Sequence, residues 1–334
     1  MQGSLVVLPL ALSSALLTTA FAQGSEYTTI DCPGAIYTYA VSINATNQVT
    51  GYCGGDVGFA STFLRDPDGS LRTISLGQGT LATDINDAGV ITGYYDTGDV
   101  QHGFTFDGRT SVSFDVPGFE LPVPVGINAS GVIAGDAQTT GYQFIGFVRD
   151  AEGNITTFTV AGAYDTEPTG INASGVITGV AGGATRASGF IRDALGNITV
   201  FKIPGALVTL PTGINASGQI AGYWSDADGG THGFTRDASG TISSFNVPGV
   251  KAPYGTFPSS INDSGVVVGV SQNSLEGFFF TQEGTSAPVE FNDPNGQAGA
   301  LVVKINAAGR IASTYMDAAN KAHGFVRDVL PTKN

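Results

Sequence analysis

Charge is scarce in this chain of 334 residues. Asp, Glu, Lys and Arg together make up 13 %, too little to furnish the charged outer faces of a helical bundle. Basic residues are scarcer still, 14 against 28 acids, for a net charge of −14. A surface of that sign repels nucleic acid and anionic membrane and leaves neutral and cationic ligands open. Two cysteines and three histidines give no CxxC or other metal-ligand spacing, so no metal or cofactor is expected, and no Ser-His-Asp or Cys-His set can be assigned by position. Beyond the first 22 residues no stretch approaches the roughly 20 apolar residues that span a bilayer.

Residues 1–22 carry no charge, are dominated by Leu, Val, Ala and Ser, and end in Ala20-Phe21-Ala22, with small residues where a signal peptidase reads. They are expected to be a secretory signal cleaved before Gln23, the alternative being an uncleaved apolar anchor. The mature chain, 23–334, is then expected to be a single domain, secreted or extracellular, with periplasm or cell surface as variants, monomeric, and without membrane contact. Cys32 and Cys53 are a candidate disulfide in such an oxidising compartment.

What the chain has is glycine, 48 residues of it, and a repeat. An Ile-Asn pair followed by a turn recurs at Asn44, Asn86, Asn128, Asn172, Asn215, Asn262 and Asn306, a period typical of propeller blades. In residues 209–249 four strand-length segments are separated by turn chemistry. The first, TGIN, runs into Asn215-Ala216-Ser217-Gly218, a tight hairpin. The second, QIAGYW, carries Gly222, matched by Gly51, Gly93, Gly135, Gly179 and Gly269, with Ser313 in the last unit. A strand glycine at a fixed register points to crowding by a backbone or ring, and the ring expected there is the Gly-Phe aromatic of segment three: Phe59, Phe104, Phe147, Phe190, Phe234, Phe278 and Phe325. Segment four ends in Pro-Gly. Each unit therefore reads as a four-stranded antiparallel meander.

The ends are out of phase with the unit. Thr28 to Gly34 matches segment four, and the chain stops soon after segment three at Gly324 to Asp328. The expectation is an all-β, seven-bladed β-propeller of four-stranded antiparallel blades, its ring closed by the N-terminal strand completing the last blade. An open solenoid, the rival, would need distinct polar caps.

These units resemble the bacterial extracellular HAF repeat, in which an I-N-x-x-G-x-I-x-G segment precedes a His-Ala-Phe-like one. Ile171 to Gly179 meets the first, and His102-Gly103-Phe104, His232-Gly233-Phe234 and His323-Gly324-Phe325 the second, with Gly for Ala and with Val57, Ile145, Ser188 and Glu276 replacing His elsewhere. The resemblance implies secretion and a propeller-like repeat and brings no catalytic residues.

All three histidines share one repeat position, which favours a structural role. Of the nonrepeating acids Asp96, Asp99, Asp136, Asp165, Glu167, Asp226 and Asp228, solvated loop charge is the plain reading, and the fragments Asp226-Ala227-Asp228-Gly229 and Asp66-Pro67-Asp68-Gly69 lack the rest of a calcium loop. Seven Asn-x-Ser/Thr sequons fall on turns, five of them at the repeat asparagines. The loops from segment two to segment three and the crossings between units vary, and binding residues concentrate on such loops. Tyr95 and Trp224 share a register at the entry to that face, beside Asp226 and Asp228. These four are the candidate ligand-binding residues. Two readings remain open: a noncatalytic secreted propeller binding a protein or glycan through the variable face, or a secreted glycan hydrolase or lyase using loop carboxylates.

Overall fold

The computed structural model describes residues 27–55, 60–183, 186–250, 255–271, 276–281, 289–291 and 304–328. The expected leader, Val57 and Phe59 lie outside them. The described residues form strands and no helix, so the all-β expectation holds. A representative meander runs from an inner strand Val208–Ile214 through Ile220–Ser225 and Thr231–Arg236 to an outer strand Ile242–Phe245, every neighbour antiparallel.

The blade count requires correction. Among the described residues five discrete four-stranded blades are present, not seven. Their inner strands are Tyr37–Ile43, Gln78–Ile85, Glu120–Ile127, Thr256–Ile261 and Lys304–Ile305. The strands from Asp165–Ile171 to Ile242–Phe245 instead form one continuous eight-stranded sheet. The cause is local. Strand Arg186–Arg192 reaches far enough toward the rim for Ala187, small and buried, to pair in parallel with Val208 at the start of the next inner strand. That bridge fuses two meanders that the sequence pattern shows as separate.

Closure follows from the phase of the ends. Strand Thr28–Ile30 pairs antiparallel with Ala322–Asp328, Thr28 opposite Val326 and Ile30 opposite Gly324. The join is fastened on both sides. Cys32 is disulfide-bonded to Cys53 in the first meander, with Cα atoms 6.3 Å apart. His323 Nδ1 lies 2.8 Å from Asp31 Oδ1, Arg327 stacks its guanidinium over the Tyr27 ring, and Ala40 N donates to Thr314 Oγ1 at 3.0 Å.

Between sheets the core is a repeated aromatic joint. Phe63, Phe104, Phe147, Phe190, Phe234, Phe278 and Phe325 are the largest fully buried side chains. Outer-strand rings meet them edge-on, as in Phe158 on Phe190 at 6.0 Å and 75°, a favoured geometry for the ring quadrupole. In the first unit the residue in this position is Phe63, two residues before the Arg65-Asp66 pair, and it pairs with Gly51. The register expected of Phe59 is thus held by Phe63. The glycines make room for the rings: a Cβ on Gly135 would lie 2.4 Å from the Val123 carbonyl oxygen and 2.5 Å from Phe147.

Candidate functional site

The inner strands enclose a channel, and the repeat asparagines rim one end of it. Each opens its hairpin with a side-chain oxygen that accepts from the turn, as Asn172 Oδ1 does from Ser174 N and Val176 N, both at 3.0 Å. Each also donates its amide to the carbonyl of the next: Asn44 to Asn86, Asn86 to Asn128, Asn128 to Asn172, Asn172 to Asn215, Asn215 to Asn262, Asn262 to Asn306, and Asn306 back to Asn44, at 3.0–3.3 Å. The bowl inside this circuit is about 240 Å³ and lined by the repeated Ile-Asn-Ala triplets, with Asp87 and Asp263 in place of Ala in two units, each accepting from a neighbouring turn amide, Ala45 N at 2.8 Å and Ala216 N at 2.9 Å. Its amides are consumed by the circuit, so it offers little for a ligand to bind. The burial of these asparagines also removes five of the seven sequons from the surface, leaving Asn154 and Asn197 exposed.

Deeper in, the channel narrows to a neck of about 70 Å³ among Asp84, Val125, Gly126, Thr169, Thr212, Ser260 and Lys304. Asp84 is held there by Ser42 Oγ at 2.7 Å and Ile127 N at 3.0 Å.

Past the neck, toward the variable loops, lies a different environment. At the next outward register the inner strands present Tyr39, Leu81, Val123, Glu167, Leu210 and Phe257, and their cross-strand partners are Tyr52, Tyr94, Asp136, Val180, Tyr223 and Val270. All are half-buried. Tyr39 and Tyr52 stack with centroids 5.1 Å apart, Tyr37 tilts onto Tyr39 at 5.7 Å, and Tyr223 meets Phe257 edge-on at 5.1 Å. Among the described residues, no hydrogen bond or ion pair engages the Asp136 or Glu167 carboxylate.

The electrostatics of this mouth have one sign. Burial, reinforced by Glu167, pushes Asp136 up to about 7. Burial and then Asp165 raise Glu167. Tyr52 is raised by burial and by Tyr39, Tyr94 and Tyr37, Tyr94 by burial and Asp96, and Tyr223 by burial. A carboxylate raised toward neutrality beside a second one is the arrangement that separates acid from base in carboxylate chemistry. Asp136 and Glu167 are thus half-buried strand residues, not the solvated loop charge expected of them.

The four candidates read from sequence lie elsewhere. Tyr95 is 8 % exposed, packs in the core with Phe104, and bonds Ser113 Oγ through its hydroxyl at 2.7 Å. Trp224 packs beside Ile220 and Phe234, stacks on His232 at 4.4 Å, and donates Nε1–H to Ser244 Oγ. Asp226 caps its own turn through Gly230 N and pairs with His232 Nε2 at 3.0 Å, and its pKa is lowered by His232 and then by that turn. Asp228 sits exposed at the tip. Tyr95 lies three units away from the other three. His102 and His323 repeat the arrangement of His232, stacked on Tyr95 and Tyr315 and bonded to Asp115 and Asp31. Among the described residues no group of three His, Cys, Asp or Glu could hold a metal ion.

No protein-family model matches the chain, and no curated protein matches it. Among solved structures it is similar to streptogramin B lyase, 12 % identical with a TM-score of 0.63 over 91 % of this chain and 98 % of that one. It is similar to a catalytically inactive virginiamycin B lyase from Staphylococcus aureus solved with quinupristin, at 13 % and 0.63 over 92 % and 100 %. It is also similar to the β-propeller domain of the Trilobed protease from Pyrococcus furiosus, described as having an open velcro topology, at 9 % and 0.59 over 88 % and 96 %. Likeness at these identities establishes the propeller fold and repeat architecture alone.

Proposed function

We propose that this chain is a secreted, noncatalytic β-propeller of the HAF-repeat kind that binds a glycan or a protein segment at the variable end of its channel. One observation carries the reading: Tyr52, Tyr94, Asp136 and Tyr223 hold one register on successive second strands, half-buried, and Glu167 acts on Asp136 from the neighbouring inner strand, with neither carboxylate used by the fold among the described residues. Tyrosine supplies an apolar face and a polar tip together, the combination that favours it at recognition surfaces. A glycan-array screen run beside a reducing-sugar release assay on the same polysaccharides tests it. Binding without release is the expected result, and absence of binding to either glycans or protein fragments contradicts it.

A second reading has its own support. The elevation of Asp136 to about 7 beside Glu167 suits general acid–base work on a glycosidic bond. Release of reducing ends that disappears in both Asp136→Asn and Glu167→Gln would establish it.

A further inference from the structure

We propose that the neck of the channel binds a small monovalent anion of halide size, held by the backbone amides of Ile214 and Ile261 with Lys304 as its counter-charge. The site is independent of whatever the mouth binds.

The repeat hairpin aims one amide of each unit into the channel. Asn172 N donates to the Val176 carbonyl, Asn215 N to that of Gln219 and Asn262 N to that of Val266, so these opposed residues are hydrogen-bonded pairs. Such pairs alternate with non-hydrogen-bonded ones along an antiparallel ladder. The residues just before, Ile171, Ile214 and Ile261, paired with Ile177, Ile220 and Val267, therefore turn their N–H groups away from their own sheets and toward the channel. Two other units show what such an amide meets: Ile127 N donates to Asp84 Oδ2 at 3.0 Å and Ile305 N to Ser260 Oγ at 3.5 Å, each acceptor supplied by the preceding unit. For the three units between, the acceptor's position is occupied by Gly126, Gly170 and Gly213. Ile171 N, Ile214 N and Ile261 N lie 3.6, 3.8 and 3.6 Å from the points those glycines' Cβ atoms would take. Among the described residues no side chain accepts from these three amides.

All three open onto the same cavity, the neck of about 70 Å³ that Lys304 also lines, which has room for a halide and about one or two waters. Packing does not require glycine at the two central positions. A Cβ on Gly170 or Gly213 would come no closer than 3.7 or 3.5 Å to any atom, ordinary contact, against 2.1 Å at Gly93. What the missing side chains do is leave backbone donors open, and convergent N–H groups make an anion-binding concavity. Lys304 is the one basic residue of the lining, and among the described residues no hydrogen bond or ion pair engages its ammonium. Asp84 is the one acid. Its oxygens already accept from Ser42 Oγ and Ile127 N, and it stands on the Gly126 side, with Oδ2 3.6 Å from that glycine's Cβ point. Its charge moves the seat toward Gly170 and Gly213 and disfavours a dianion such as sulfate.

Bromide stands in for chloride and is located by its anomalous scattering. Crystals of the protein soaked in sodium bromide are expected to show a bromide in the neck beside Ile214 N and Ile261 N, and a neck that holds water only overturns the proposal. In solution, thermal unfolding at one fixed ionic strength compares chloride with gluconate, which is too large for the neck. Chloride is expected to raise the melting temperature of the wild type by about 2 °C, by less than half of that in Lys304→Met, and not at all in the Gly170→Ser, Gly213→Ser double variant. The two introduced hydroxyls would accept from Ile214 N and Ile261 N as Ser260 does from Ile305 N. An equal chloride response in wild type and variants is a general salt effect and overturns the proposal, as does a bromide seen in the crystal with no chloride response in solution, which is binding at crystal concentration only. Should the double variant fail to fold, Lys304→Met and the bromide position decide between the same outcomes.

Discussion

Asn306 donates its side-chain amide to the backbone carbonyl of Asn44 across 3.0 Å, joining residues 262 positions apart in the chain. The same asparagine caps its own turn, accepting from Arg310 N at 2.9 Å. One buried side chain therefore fixes both a hairpin and the contact that ends the circuit. Asn306→Ala leaves the Asn44 carbonyl and the Arg310 amide without their partner, and a buried polar group left unsatisfied costs about 1–3 kcal/mol. Urea unfolding is expected to show a loss of about 3 kcal/mol, well above the roughly 0.5 kcal/mol of an ordinary surface substitution such as Ser239→Ala.

The Cys32–Cys53 disulfide bridges the closing strand to the first meander over a sequence separation of 21 residues. Loop-closure entropy for a link of that length corresponds to about 3 kcal/mol. Denaturant unfolding of wild type with and without reductant, and of the Cys32→Ser, Cys53→Ser double variant, should give that difference. The double variant should be insensitive to reductant.

The register glycines should be intolerant of a single methyl. A Cβ at Gly93 would sit 2.1 Å from the Leu81 carbonyl oxygen and 2.9 Å from the Ala82 Cα, which are backbone atoms that cannot rotate away. Gly93→Ala is expected to cost more than the typical 1–3 kcal/mol of overpacking. At the equivalent position Ser313 is fully buried, with its hydroxyl unsatisfied, and Ser313→Gly should be nearly neutral. Thermal melts of the two variants check the contrast.

Stability should respond to pH in two windows of opposite sign. Asp136 is raised to about 7, so between roughly pH 4 and 7 the folded chain holds a proton that the unfolded chain has lost, and stability falls as pH rises, by up to about 1.4 kcal/mol per unit. Asp136→Asn should flatten that slope and be the more stable protein at pH 8. The turn aspartates behave oppositely. Asp150, Asp193 and Asp237 are lowered chiefly by side-chain hydrogen bonds from Asn154, Asn197 and Ser239, so their contribution is present above the unfolded-state value near 4 and is lost as pH falls through their depressed values. Urea midpoints from pH 3 to 8 for wild type and Asp136→Asn separate the two.

The repeat made much of this fold legible in the sequence. Asn turns, register glycines and the Phe series are set by local chemistry that recurs, and strand closure follows from the phase of the ends. Phe59 was confusable with Phe63 because the first unit carries two phenylalanines four residues apart, and only the distance to Arg65-Asp66 distinguishes them. The fusion of two meanders was hidden because it depends on how far strand Arg186–Arg192 extends relative to the following crossing. The mouth was missed by a single residue. Tyr94 and Tyr95, like Tyr223 and Trp224, are neighbours in one strand, and a shift of one position turns a side chain to the opposite face. Tyr95 and Trp224 go to the core, whereas Tyr94 and Tyr223 face the mouth. The signal that could have identified them is the residue following each register glycine: Tyr52, Tyr94, Asp136 and Tyr223.

Ring closure by Thr28–Ile30 is the premise on which the positions of bowl, neck and mouth depend, and amide hydrogen exchange measures it directly. The account predicts that the amides of Thr28–Ile30 that pair with Ala322–Asp328 exchange as slowly as those of Arg310–Met316 in the same sheet. Exchange of Thr28–Ile30 at the rate of an unstructured peptide, while Arg310–Met316 stays protected, would contradict it.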